Sequence, residues 1–129
     1  MSMGTAALAI PASAASNTAV IVSCTSLKGT ATGSSTATGC NNTTITGGSG
    51  VFSAKPPAFT IKWKNGKTST GTEAYTSTAN KCGTGASEVK TTVTIKGGTN
   101  TKLIGGKGVD YICIKGSSIY NQPGTKFVV

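Results

Sequence analysis

The stretch VIVSCTSLKGTATGSSTATGC, Val20 to Cys40, decides how the rest of the chain is read. It has two Thr-rich arms with a cysteine towards the outer end of each. Val, Ile and Thr suit a pleated, half-buried surface and a glycine between the arms suits a turn, so the stretch predicts a β-hairpin. A three-residue loop Ala31-Thr32-Gly33, with Gly33 at positive φ, sets Thr30 against Ser34. Counting back along both arms then places Cys24 opposite Cys40. A cross-strand disulfide joins such a pair where the two residues are closely spaced and not hydrogen-bonded to each other.

The alternation recurs downstream. Residues 41–50 (NNTTITGGSG) read as a strand end and a Gly-rich turn. Val51-Phe52 begin a strand that Lys55-Pro56-Pro57 ends, because proline has no N–H for a central ladder. Phe59, Ile61 and Trp63 alternate with Thr60, Lys62 and Lys64 before Asn65-Gly66, a strong hairpin signal. The return strand is expected to set Thr68, Thr70 and Thr72 opposite Trp63, Ile61 and Phe59 and to continue to Tyr75. Trp63, sharing a face with Phe59 and Ile61, is expected in the core. Residues 77–87 form a loop tethered through Cys82. Val89, Thr91, Val93 and Ile95 face one way, with Glu88, Lys90, Thr92, Thr94 and Lys96 on the outer face. Val109 to Ile114 is apolar on both faces and reads as a central strand, and Gln122-Pro123-Gly124 reads as a type II turn. No segment carries a helical period. The expected fold is all-β: about eight to nine short antiparallel strands in one domain over residues 16–129, as an immunoglobulin-like or jelly-roll-like sandwich or a partly open barrel.

A chain of 129 residues and 12.8 kDa holds one core. Thr, Gly and Ser supply 55 residues, so hydroxyls rather than charges solvate the surface. Regular apolar runs such as FTIKW and VDYICI argue against disorder. The first fifteen residues, MSMGTAALAIPASAA, resemble the C-terminal part of a secretory signal, with an apolar remnant and a small-x-small site at Ala12-Ser13-Ala14. No charged n-region precedes them, so the true start is expected upstream. Four cysteines beside such a segment imply two disulfides and a secreted, extracellular or cell-surface location. Three connectivities are open, and Cys24–Cys40 with Cys82–Cys113 is the expected one. The gaps of 16, 42 and 31 residues and the lack of any CxxC fit no zinc site, and no metal or other cofactor is expected. No run is long enough to span a bilayer as a helix.

The net charge of +9 comes from twelve lysines against Glu73, Glu88 and Asp110. With no arginine to make bidentate contacts to guanine or phosphate, no specific nucleic acid is expected as a partner. With no histidine, Ser-His-Asp and Cys-His arrangements are excluded. The three acids fall on separate expected strands, which argues against a carboxylate pair. Ser87-Glu88-Val89-Lys90 matches S-x-x-K, but in a strand residues three apart face opposite sides. Gly66-Lys67-Thr68 resembles the end of a phosphate-binding loop, yet Ile61 stands where its first glycine belongs.

The run SCTSLKGTATGSSTATGC, then FTIKWKNGKTST, CGTGASEVKTTVTIKGGT, VDYICIKG and PGTKFVV together resemble a group of small secreted four-cysteine β-proteins of actinobacteria. That resemblance covers nearly the whole mature chain but implies no activity and no residue role. Taken together, the chain reads as a secreted, non-enzymatic binding or envelope-associated protein. Lys62, Lys64, Lys90 and Lys96 on outer faces are expected to give salt-sensitive affinity for an anionic cell-wall polymer. The alternatives are a structural envelope component without a discrete ligand, or a glycan-binding module that stacks a sugar on Tyr75 or Tyr120 near loop ends.

Overall fold

The computed structural model describes residues 20–129. The signal-like segment over residues 1–15 lies outside them. The described residues form nine strands, all antiparallel: β1 (Ser23–Thr30), β2 (Ser35–Cys40), β3 (Ser49–Lys55), β4 (Ala58–Trp63), β5 (Thr68–Ser77), β6 (Ser87–Gly97), β7 (Lys107–Lys115), β8 (Ser118–Asn121) and β9 (Phe127–Val128). Each of β1 to β7 pairs with the next, and β8 pairs back onto β1 through Lys28↔Tyr120, Gly29↔Ile119 and Thr30↔Ser118. The result is a closed up-and-down barrel of eight strands. The ninth, β9, lies beside β8 along β1, with Phe127 opposite Cys24.

The all-β class and the two disulfides stand as expected, but the architecture is neither a sandwich nor a partly open barrel. The physical reason is connectivity. Every connection from β1 to β8 is a turn or loop that joins neighbours, with no long crossing of the kind a Greek key needs. A twisted meander of eight strands brings its first and last strands together and so removes both edges.

The opening hairpin has the expected register, with Cys24 opposite Cys40 and a Cα–Cα distance of 3.9 Å across the disulfide. The second disulfide joins Cys82 to Cys113. One expectation about the turn fails: Gly33 is not at positive φ. A Cβ at residue 33 would come to 2.7 Å from Thr30 Oγ1 and oblige that hydroxyl to move, so what glycine gives there is a close approach, not handedness.

The second hairpin departs from expectation by one residue. Gly66, at φ 90°, closes a three-residue loop in which Trp63 N–H donates to Lys67 O at 2.8 Å. Phe59 therefore faces Gly71 and Ile61 faces Ser69, not Thr72 and Thr70. Because strand side chains alternate, this slip reverses the faces of β5. Ser69, Glu73 and Tyr75 point into the barrel. A bulge between Thr70 and Gly71 then adjusts β5 to β6.

Two further differences are small. A one-turn helix α1 (Thr43–Thr46) occupies part of the expected Gly-rich turn, and Thr101–Leu103 form a 3₁₀ turn. Thr46 and Leu103 of these turns join Trp63, Ile61, Ile95, Val22 and Val129, all buried, in filling one half of the barrel. Trp63 Nε1–H donates to Ser69 Oγ at 2.8 Å across this core. No helix among the described residues is long and apolar enough to cross a membrane.

Candidate functional site

The other half of the barrel is not filled. It encloses a cavity of about 340 Å³, open at the end that carries the β1–β2 and β3–β4 turns. Phe52 stacks on Phe59 with centroids 5.1 Å apart and meets Phe127 edge-on at 5.8 Å, so an aromatic cluster underlies the cavity. Leu27, Val89, Val93, Ile112, Ile114 and Ile119 make its walls, while Ala31, Ala54, Pro56 and Tyr75 stand at the exposed rim. Small barrels either fill their interior or hold one small ligand, and this volume lies at the small end of the range for ligand sites.

Three polar side chains interrupt the apolar walls on adjacent strands. Thr91 on β6 faces Asp110 on β7 and, on its other side, Tyr75 on β5; Glu73 faces Val93, one step deeper. Facing residues place their Cβ atoms about 5 Å apart, so all four share one patch of wall. Glu73, Thr91 and Asp110 are 6 %, 5 % and 1 % exposed. Glu73 Oε2, Thr91 Oγ1 and Asp110 Oδ2 are buried without a hydrogen-bond partner. Buried polar atoms are nearly always paired, so three orphans in one cavity call for a physical explanation.

The other oxygen of Asp110 is engaged: Oδ1 accepts the Val128 N–H at 2.6 Å and ties β9 to β7. Burial pushes the Asp110 carboxyl up to about 7, against the opposing pull of that N–H. Burial likewise raises the Glu73 carboxyl, with the Tyr75 hydroxyl beside it pulling the other way. Burial and the neighbouring Glu73 charge raise the Tyr75 phenol, which therefore stays a protonated donor.

The residues singled out from sequence are placed as follows. Lys62 lies on β4, Lys64 just past its end and Lys96 near the end of β6, all exposed. Lys90, half-buried, lies six residues before Lys96 on the outer face of β6, a separation of about 20 Å along a strand. The four therefore do not form one patch. Tyr75 is 49 % exposed and belongs to the rim of the cavity. Tyr120 is half-buried on the outer side of β8, opposite Lys28 and beside Lys115 in a separate shallow groove. The two tyrosines thus make no common stacking platform.

The three acids lie on three different strands as expected, but all are buried, including Glu88, contrary to its expected place on the polar outer face of its strand. Glu73 and Asp110 share the cavity. Glu88 instead lies beneath the 78–86 loop, where its Oε1 accepts the Lys81 N–H at 2.6 Å. No group of three or more His, Cys, Asp or Glu able to hold a metal is found among the described residues. Compared with protein-family models, curated proteins and solved structures, the chain matches none.

Proposed function

We propose that this is a secreted, non-enzymatic binding module whose barrel takes up a small, largely apolar guest. The observation that carries this reading is the open cavity, with aliphatic walls and three unpartnered polar atoms of Glu73, Thr91 and Asp110. Convergent polar groups in a mostly apolar pocket are the usual make-up of a ligand site. Two disulfides belong with an oxidising compartment and support secretion. Glu73 and Asp110 in one cavity also invite a glycosidase reading, but a sugar needs hydroxyl-binding groups where this cavity presents Leu, Val and Ile.

The test is titration with N-phenyl-1-naphthylamine, a neutral apolar fluorophore, against the protein and against Ala54→Trp, which places an indole in the mouth. Saturable one-to-one enhancement, lost in the variant, is expected. Failure to saturate, or identical curves for both proteins, overturns the reading.

A second reading, adhesion to an anionic envelope polymer, is favoured by a different observation. With all three acidic side chains buried and eleven of twelve lysines exposed, the charged side chains at the surface of the described residues are all positive. Retention on isolated cell walls at low salt and release at high salt is the expected behaviour; salt-resistant retention would exclude it.

A further inference from the structure

A buried carboxyl in apolar surroundings must be neutralised by a proton or by a counter-charge. The described residues supply no counter-charge to the cavity. The chain has no arginine or histidine, and its lysines are exposed or, for Lys90, on the outer face of β6. Among the described residues, no donor is hydrogen-bonded to Glu73 Oε2 or Asp110 Oδ2. A calcium ion would want six to eight oxygens, whereas this patch offers two carboxyls and a hydroxyl among aliphatic walls. A primary ammonium carries three N–H donors and no acceptor. That inventory matches the three orphaned atoms, of Glu73, Thr91 and Asp110, one for one.

We propose that the guest bears a primary ammonium group, seated between Glu73, Thr91 and Asp110, with its apolar body resting towards Phe52 and Phe127. This deepens the cavity reading and rests on it. Tyr75, opposite Thr91 on β6, places its hydroxyl beside the Glu73 carboxyl at the rim side. When a carboxyl is protonated beforehand, binding the ammonium sends that proton to solvent. The lysines outside repel a cation only weakly, since salt screens such charges over about 8 Å, while the carboxylates touch it directly.

The experiment is calorimetric titration at pH 7.5 of the intact protein with n-octylammonium, 1-octanol and octanoate, which share one tail. The amine is expected to bind about tenfold tighter than the alcohol, as a charge-assisted contact warrants, with octanoate the weakest. In Glu73→Gln and Asp110→Asn the amine is expected to lose about tenfold, while the alcohol changes by less than about threefold. The ranking in the unaltered protein is sufficient by itself should a variant fold poorly. Equal or tighter binding of the alcohol overturns the ammonium and leaves the cavity reading intact. If none of the three binds, the ammonium falls, and the naphthylamine titration decides the cavity reading separately.

Discussion

The side-chain amide of Asn121 accepts the Leu27 N–H on Oδ1 at 3.0 Å, standing in for backbone at the last residue of β8, where the ladder with β1 has ended and β9 has not begun. Its Nδ2 donates to Thr125 O at 2.7 Å. One side chain thus spans the break in the strand that closes the barrel against β1. Asn121→Ala is expected to leave the N–H of buried Leu27 unpaired and to cost about 1–3 kcal/mol in urea denaturation. Hydrogen exchange should accelerate at Leu27 specifically. An unchanged Leu27 amide would show that the seam is held without this residue.

In the filled half, Ser69 is the sole polar partner of the Trp63 indole among the described residues, and both residues are buried. Ser69→Ala removes the acceptor and leaves a desolvated N–H, at an expected cost of about 1–3 kcal/mol. Stability and Trp63 fluorescence together check this. Normal stability with altered emission would mean that the indole finds another acceptor.

The two disulfides close loops of similar entropic weight, so paired replacement by alanine should cost about 2–4 kcal/mol in either case. Their local effects differ. Cys24–Cys40 sits across β1 and β2, whereas Cys82–Cys113 fastens the 78–86 loop over Glu88. Only the Cys82→Ala/Cys113→Ala protein should lose protection at the Lys81 amide. Equal protection there in both proteins would assign the loop's order to Glu88 alone.

Much of the fold is written in local signals. The hairpin that pairs Cys24 with Cys40 follows from turn chemistry and counting, and the outward Lys90–Lys96 face of β6 follows from strict alternation. Closure is not local: it depends on β8 meeting β1, residues about ninety apart in the chain. The short connections were the available sign of a meander. The site was hidden by a single residue. With a two-residue turn at Asn65-Gly66, Glu73 and Tyr75 point to solvent; with the three-residue loop that forms, they enter the barrel. Turn type at one glycine therefore decides whether two of the four polar groups belong to a site at all.

Asp110 gives the cavity a pH signature. Its carboxyl titrates at about 7 in the folded protein, above its ordinary value of 3.8, because it is buried. The folded state then binds more protons than the unfolded chain between those values, so stability falls as pH rises from about 4 to 7 and levels beyond. Asp110 itself faces Thr91 on β6 and the Val128 N–H of β9; of the other titratable groups lining the cavity, Glu73 on β5 is shifted in the same direction and Tyr75 stays protonated. With no histidine in the chain, few other side chains titrate between pH 5 and 8 to obscure the effect. Asp110→Asn keeps an acceptor for Val128 and removes the charge. It should match the parent near pH 4 and exceed it by roughly 2–4 kcal/mol at pH 8, measured by urea denaturation at both pH values. A uniform loss at every pH would mean that the Val128 contact, rather than the buried charge, dominates at this position.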